Sequence, residues 1–327
     1  MTETHLRLIT NSGTWMLILV PTYSTKIFIG QTAMTTYVIP FVIGKSSPTE
    51  QGNSSMPWPS VLRPMIFHTS ENLASDQNSV ISYITSHVWT PRGGAENYYG
   101  IEATIDVYGF NLQPGQLSAA GIWILNKGDG KPSSANGFQV GWSIFPRFYK
   151  DSHTHFYTSW TSGGSPAKSC SDMICPGFQK TSSSIAPGSI INPVSDIRGR
   201  KSYITIRVFK DKSSGDWHVH YGLNGGIKPV GYFPKSLIPG LIDRKVEISF
   251  GGYVSHQKPQ PSPPMGSGYA PASGNAASFK NIKLIDANGN AHLVNTNLPF
   301  RVDPKRCYPI SYIDSARFFY GGSGCAD

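Results

Sequence analysis

Carboxylates, the side chains best suited to acid–base hydrolysis, are scarce in the patterned part of the chain. After residue 86 the only glutamates are Glu96, Glu102 and Glu247, and the aspartates nearest to recognisable motifs are Asp106, Asp172 and Asp243. Two nearby carboxylates can divide the roles of base and acid. Glu102 and Asp106 share one face of an alternating segment, but a solvent-facing polar side of a strand explains this pair better than an acid–base site.

Two His-x-His pairs occur, His153 with His155 and His218 with His220. On a strand each pair places both imidazoles on one face, a geometry that metal sites use. No third ligand is apparent, so exposed strand histidines are the favoured interpretation, and we expect no metal and no cofactor. Ser-His-Asp catalysis is disfavoured because the chain has no Gly-x-Ser-x-Gly elbow.

The elements that would position such residues are predicted to be strands. The chain has 34 Gly, 25 Pro, 12% aromatic and 14% charged residues, a composition that favours short strands and tight turns. Alternating segments are predicted at 101–108, 118–125, 137–145, 155–160, 203–210, 217–222, 245–254 and 278–286. The only predicted helical piece is residues 234–241. The expected fold class is therefore all-β, an antiparallel sandwich or barrel with few or no helices.

The four cysteines fall into two local pairs, Cys170 with Cys175 and Cys307 with Cys325. The spacing matches zinc sites poorly, so two disulfides and an oxidising, secreted or extracellular location are predicted. The expected organisation is an apolar leader at 1–50, a possible signal or signal-anchor segment, then a linker-like segment at 51–85. A β domain over 86–327 follows.

The formal net charge of +9 raises the question of nucleic-acid binding. The cations do not cluster, and neither a phosphate-binding loop nor an RNA-recognition signature occurs. We therefore expect no nucleic-acid partner. A basic surface also suits anionic cell-wall surroundings.

Several short blocks follow one another in a specific order. They are Tyr-Tyr-Gly at 98–100, Gln-Val-Gly-Trp at 139–142, the segment 157–161 around Trp160, Cys170 to Phe178, Gly-Tyr-Phe-Pro at 231–234, Phe-Gly-Gly at 250–252, Met-Gly-Ser-Gly at 265–268 and Tyr-Gly-Gly at 320–322. In this order they resemble the signature of the neprosin family of glutamic peptidases. The resemblance implies a β-sandwich with a substrate groove over one concave face. It also implies acid endopeptidase cleavage after proline by two glutamates, without a metal.

The resemblance fails at both catalytic positions. The residues that match the family's two glutamates are Gln139 and Tyr253. Gln139 cannot accept a proton from water, and Tyr253 is a weak acid that offers no carboxylate. Glu247 shares a strand face with Tyr253, but six residues separate them, roughly 20 Å at 3.3 Å per residue, too far for Glu247 to substitute.

The matching blocks also supply candidates for the lining of a groove. These candidates are Trp142, Trp160, Tyr232, Gly251, Gly252 and Ser267. Exposed aromatic side chains on a concave sheet can stack on proline rings or on sugars, whereas core packing is the alternative explanation for them.

Three functions are compatible with the sequence. The first is a neprosin-like domain without proteolytic activity that keeps a groove for a peptide or proline-rich protein. The second is an active proline-directed endopeptidase that uses other carboxylates. The third is a carbohydrate-binding or structural cell-wall protein, since fold does not fix function. In each case we expect a monomer.

Overall fold

The computed structural model describes residues 79–91, 97–165, 168–303 and 306–325. The predicted leader at 1–50 and most of the linker-like segment lie outside these residues. The first strand begins at Val80. Residues 80–85, which the sequence analysis assigned to the end of the linker, therefore belong to the sandwich.

Sixteen strands and one short helix account for the regular structure of the described residues. The strands are β1 (Val80–Trp89), β2 (Tyr98–Asp106), β3 (Gln116–Asn126), β4 (Asn136–Ile144), β5 (His155–Thr161), β6 (Ser169–Ser171), β7 (Gln179–Lys180), β8 (Tyr203–Lys210), β9 (Trp217–Leu223), β10 (Lys228–Phe233), β11 (Glu247–Gln257), β12 (Met265–Gly266), β13 (Ala277–Asp286), β14 (Ala291–Leu293), β15 (Phe300–Arg301) and β16 (Phe318–Gly322). The helix α1 is Pro146–Tyr149, and 3₁₀ turns occur at Pro132–Ser134, Pro239–Leu241 and Pro271–Ser273.

The strands form two antiparallel sheets. The seven-stranded sheet has the order β15-β1-β11-β3-β4-β5-β6. The nine-stranded sheet has the order β12-β16-β13-β2-β8-β9-β10-β7, with β14 added beside β13. The predicted all-β sandwich is confirmed, because apolar side chains of both sheets meet in one core.

The inward-facing residues of each strand supply that core. Alternate residues of β3 and β4, such as Ile122, Ile124, Phe138 and Val140, are fully buried against residues of the other sheet. The other apolar residues of β3 form a second, smaller cluster on the opposite face of the seven-stranded sheet, together with Phe145, Tyr157 and Tyr253. Both faces of β3 are buried, so its sequence is almost uninterruptedly apolar or small.

Three glycines stand side by side on the face of the seven-stranded sheet that points away from the core. Gly251 on β11 pairs with Gly121 on β3, which pairs with Gly141 on β4. A Cβ atom on Gly121 would lie 2.5 Å from the carbonyl oxygen of Val140 on the neighbouring strand. This glycine row is therefore a strip of bare backbone that crosses three strands.

Most predicted strands are confirmed to within a few residues, and β8 is confirmed at both ends. Turns at 212–216 and 286–290 connect β8 to β9 and β13 to β14. The predicted helix at 234–241 is reduced to the 3₁₀ turn Pro239–Leu241, because Pro239 and Gly240 disfavour a longer helix.

Among the described residues, no helix combines the length and the apolar composition needed to cross a lipid bilayer.

The glycine row gives a direct test of the strand packing. Gly121→Ala forces a methyl group against the backbone of β4, so we expect a loss of roughly 1–3 kcal/mol in the free energy of unfolding. Chemical denaturation measures this loss. Gly226→Ala is the matched control, since a Cβ there meets nothing within 4 Å. Equal stability of the two variants would contradict the packing described here.

Candidate functional site

Gln139 and Tyr253 lie on the same face of the seven-stranded sheet, the face that carries the glycine row, and we call it the Gln139 face. Gln139 on β4 stands opposite Trp123 on β3, and Tyr253 on β11 stands opposite Ala119 on β3. The two positions are therefore separated by one strand and by four residues of register. They occupy opposite sides of the glycine row, and both are buried, with 2% and 3% of their surface exposed.

Tyr157 on β5 is hydrogen-bonded to Gln139, and its pKa is affected by Tyr253. It stands opposite Gly141, at the end of the glycine row. The Gln139 amide donates a hydrogen bond of 2.5 Å from Nε2 to the Tyr157 hydroxyl oxygen. Burial raises the pKa of Tyr157 far above its ordinary value, and the charges of Asp172 and Tyr253 add to this rise. A neutral phenol therefore stands beside the first family position.

Tyr253 is held in a similar way at the other side of the row. Its hydroxyl group and the Ser82 hydroxyl on β1 are 2.9 Å apart, a hydrogen bond in which either group can donate. Burial raises the pKa of Tyr253 to about 12. Below neutral pH both matching positions and Tyr157 are uncharged, so these three side chains supply no general base.

One carboxyl group does lie close to this arrangement. Asp172 follows β6 and is 3% exposed. Its Oδ1 accepts a hydrogen bond of 2.8 Å from the Thr158 backbone N–H, and its Oδ2 accepts one of 2.7 Å from the Tyr149 hydroxyl. Burial raises the pKa of Asp172 from its ordinary value of 3.8 to about 7, although both hydrogen bonds oppose the rise.

The Tyr149 ring, whose hydroxyl donates to Asp172, is one of a stacked pair of aromatic rings. The Tyr149 ring lies parallel to the His155 ring, with centroids 3.8 Å apart. His155 in turn contacts Asp151 through Nε2 at 2.9 Å and the Gly188 carbonyl through Nδ1 at 2.7 Å. The sequence identified Asp172 only as an aspartate near a motif, since its burial and its contact with Tyr149 depend on the distant residues of α1. The signal that could have indicated it is its place between Cys170 and Cys175.

Both predicted disulfides are present, Cys170–Cys175 and Cys307–Cys325. The first closes the loop that contains Asp172, whose backbone has a positive φ of 51°. Asp is one of the few residue types that tolerate this left-handed conformation. The disulfide and the hydrogen bonds to Thr158 hold the carboxyl group in a fixed place.

The six groove candidates do not lie together. Trp142, Trp160 and Gly252 face the core between the sheets; the Trp142 indole donates to the Asp106 carbonyl, and Gly252 packs against Met265. Strand alternation explains this, because residues an odd number of positions apart on a strand point to opposite faces. Trp142 is three residues from Gln139 on β4, and Gly252 is one residue from Tyr253 on β11. Trp160 follows Ser159, which stands opposite Gln139.

The remaining candidates are also divided. Tyr232 lies on β10 of the nine-stranded sheet, and Ser267 lies in the turn after β12, where its hydroxyl accepts the backbone N–H of Tyr269. Gly251 alone among the six shares the face of Gln139 and Tyr253. The aromatic residues of this face include Trp123, Tyr157 and Tyr253, and Phe145, Phe148 and Tyr149 pack in the same cluster.

Glu247 and Glu102, two of the other carboxylates named from the sequence, form ion pairs, and Glu96 lies outside the described residues. Glu247 forms ion pairs with Lys127 at 2.9 Å and Arg301 at 2.8 Å. Glu102 pairs with Lys283 and Arg207 on the outer side of the nine-stranded sheet, the solvent-facing polar role that was favoured for it.

Asp106 shares that strand face but is buried, and its Oδ2 accepts hydrogen bonds of 2.9 Å from the Ser278 backbone N–H and hydroxyl. Glu102 and Asp106 therefore have separate partners. Within the part of the chain that the structure describes, no three His, Cys, Asp or Glu side chains are grouped so that they could hold a metal ion.

The hydrogen bond between Gln139 and Tyr157 can be tested by stability. Tyr157→Phe leaves a buried amide without its acceptor, so we expect a loss of roughly 1–3 kcal/mol in the free energy of unfolding. Tyr320→Phe is the matched control, because the buried Tyr320 hydroxyl has no hydrogen-bond partner among the described residues. If denaturant titration showed no difference between the two variants, the Gln139–Tyr157 bond would not be stabilising.

The buried Asp172 carboxyl predicts a pH dependence of stability. Its pKa is raised in the folded protein, so folding retains a proton that the unfolded chain releases above about pH 4. The stabilising contribution is present at low pH and is lost as the pH rises from about 4 to about 7. We expect wild-type stability to fall by a few kcal/mol over this window and Asp172→Asn to show a smaller fall.

Thermal or chemical unfolding at several pH values measures this effect. Asp129→Asn is the control, because the Asp129 carboxylate is exposed and hydrogen bonding with Ser134 lowers its pKa in the folded protein, so Asp129 does not cause stability to fall as the pH rises. A pH profile of Asp172→Asn identical to that of the wild type would contradict the assignment of the proton to Asp172.

Comparisons with known proteins give the family. The Neprosin family model matches residues 114–323 of this chain. Among solved structures, a scytalido-glutamic peptidase with a peptide-based transition-state analog is 10% identical, with a TM-score of 0.40, and covers 75% of this chain and 100% of its own. SCP-B, a member of the Eqolisin family of peptidases in complex with the tripeptide Ala-Ile-His, has the same identity and coverage and a TM-score of 0.39.

A GH16 protein of a mixed-linkage glucan locus of Bacteroides ovatus, in complex with its product, is 13% identical over 56% of this chain and 70% of its own, with a TM-score of 0.32. At these identities and TM-scores the similarities carry no information on ligand or activity. The family match is different, since it covers well over half of the chain, including both matching positions and Asp172. The chain belongs to the Neprosin family of peptidase domains.

Proposed function

We propose that this chain is a Neprosin-family domain that has lost glutamate-dependent peptide cleavage and that binds a peptide on the Gln139 face. The observation that carries the proposal is the uncharged arrangement of Gln139, Tyr157 and Tyr253 at the place where the family's two glutamates are expected. Acid proteolysis by that family needs carboxyl groups at both positions, and this chain has an amide and a phenol.

Two properties of these residues argue against hydrolysis there. Gln139 already uses its amide to donate to Tyr157 and has no titratable proton, and Tyr253 stays protonated because its pKa is about 12. A hydrolytic site needs a base that can take the proton of a water molecule, and neither of these two side chains is such a base.

Other features of the same face support a peptide ligand. The glycine row offers a strip of backbone without side chains, flanked by the rings of Trp123, Tyr157 and Tyr253. Aromatic rings suit proline side chains, which are rigid and cost little conformational entropy on binding. The Trp123 indole N–H is buried and has no acceptor among the described residues. A peptide carbonyl oxygen would satisfy this donor once the side chains that cover it move aside to admit the peptide.

The proposed location is extracellular. Both disulfides connect residues within the family domain, and such bonds persist in oxidising compartments and are rare in the cytosol.

A second candidate function rests on Asp172. A carboxyl group whose pKa is raised to about 7 is protonated in acid solution, as a general acid must be before it donates. Asp172 also raises the pKa of Tyr157, so it lies near the phenol that holds Gln139. In this alternative the chain cleaves peptides after proline with Asp172 and Tyr157 as its proton-carrying groups. The burial of Asp172 favours the first proposal.

The first proposal predicts binding without cleavage. We expect the purified protein to bind proline-rich peptides between pH 3 and pH 6 while mass spectrometry detects no cleavage products. Trp123→Phe removes the free indole donor, so we expect a weakening of binding of roughly 5- to 10-fold, as for the loss of one hydrogen bond. Calorimetry or fluorescence anisotropy measures the affinity.

Trp160→Phe is the matched control, because the Trp160 indole N–H is also without a partner among the described residues but faces the core. Cleavage after proline that is abolished by Asp172→Asn would replace the first proposal with the second. Absence of binding to every peptide, together with binding to a neutral glycan on this face, would favour a carbohydrate-binding or structural protein.

A further inference from the structure

The outer side of the nine-stranded sheet carries a row of rings and cations that the proposed function does not use. Over residues 203–209 of β8 and 217–221 of β9, buried residues alternate with partly exposed ones. The partly exposed set includes Arg207 and Phe209 on β8, His218 and His220 on β9, and it continues to Tyr232 on β10. The His218–His220 pair noted in the sequence is part of this surface.

Strand register brings these side chains into contact. Arg207 stands opposite His220, and Phe209 stands opposite His218, which stands opposite Tyr232. The rings of Phe209 and His218 are 5.6 Å apart and nearly parallel, and those of His218 and Tyr232 are 5.4 Å apart and nearly parallel. We call these five residues the His218 ladder.

Arg207 and His220 flank the stacked rings. The Arg207 guanidinium lies 5.2 Å from the centre of the Phe209 ring, and the His220 ring meets the Phe209 ring edge-on at 5.3 Å. The rings stack across the strands, so they present edges rather than faces to the solvent. Ring edges are electropositive, and histidine and tyrosine edges also carry hydrogen-bond donors.

The net charge of this surface is also positive. Arg207 and Lys283 share one carboxylate, Glu102, at 3.5 Å and 2.8 Å. One negative charge between two cations leaves a net positive charge beside the ladder. A surface of positive edges, donors and cations matches a ligand with regularly spaced anionic groups.

We propose that the His218 ladder binds an anionic polysaccharide whose repeating carboxylates lie across the strands β8, β9 and β10. The surface is a flat sheet face, so its ligand must bind without being enclosed. A stiff polymer loses less conformational entropy on such a surface than a flexible acidic peptide does. The extracellular location proposed from the disulfides places the protein among polysaccharides rather than nucleic acids.

The ladder also predicts how binding depends on pH. Burial lowers the pKa of His220, the positive charges of Arg207 and His218 lower it further, and Glu102 opposes them. These are the charged groups that face His220 from β8, β9 and β2, and Tyr232 and Lys228 lie on β10 beside them. A bound carboxylate adds negative charge, so protonation of His220 and binding favour each other. Affinity therefore increases as the pH falls.

The test is binding of the full-length protein to polygalacturonate, measured by calorimetry at pH 5 and pH 7. We expect tighter binding at pH 5, and weaker binding at higher salt. The double variant His218→Gln/His220→Gln should lose roughly fivefold or more in affinity at pH 5, as expected for two partly exposed charge pairs. The matched control is His153→Gln, an exposed histidine outside the ladder.

Two further ligands test whether binding depends on the charges of the polymer or on its sugars. Fully methyl-esterified polygalacturonate keeps the sugars but lacks the charges, and we expect its affinity to be at least tenfold weaker. Polyglutamate keeps the charges but lacks the sugars, and we expect weaker binding for it too. The proposal is overturned if polygalacturonate does not bind, if the ester binds equally well, if polyglutamate binds more tightly, or if the ladder variant binds like the wild type. None of these results depends on peptide binding at the Gln139 face.

Discussion

The close approach of three neighbouring strands at Gly251, Gly121 and Gly141 is the constraint on which the candidate site depends. Any side chain at Gly121 would collide with the backbone of β4, so the row can exist only as bare backbone. Tyr157 lies at one end of the row, and Tyr253 lies at its flank. The same row separates the two positions that match the family's glutamates.

The chemistry of this face follows from which groups are buried there. Burial disfavours charge, so phenols on the Gln139 face stay neutral and the nearby Asp172 carboxyl retains its proton up to about pH 7. The hydrogen bonds that Asp172 accepts from Thr158 and Tyr149 oppose this shift without cancelling it. A face of neutral donors and acceptors is suited to hold a ligand. Gln139 and Tyr253, the two residues predicted to match the family's glutamates, carry no carboxyl group.

The two outer faces of the sandwich differ in their physical character. The Gln139 face is apolar and aromatic, and its side chains are buried. The His218 ladder is partly exposed, and two cations beside it share a single carboxylate. Alternation along the strands permits this division, because successive residues of β8 or β11 point to opposite sides of their sheet. One sandwich can therefore carry two independent binding surfaces.

The sequence by itself determined the all-β class, most strand positions, both disulfides and the family, because these depend on local alternation, turn residues and ordered motifs. It also determined that Gln139 and Tyr253 stand where glutamates were expected. Only the tertiary structure decided that Trp142 and Trp160 face the core, that Tyr157 accepts from Gln139, and that Asp172 is buried. Strand alternation says which residues share a face but not which face is inward. Register across four strands, and the hydrogen bond between Tyr149 of α1 and Asp172, depend on contacts between residues distant in the chain.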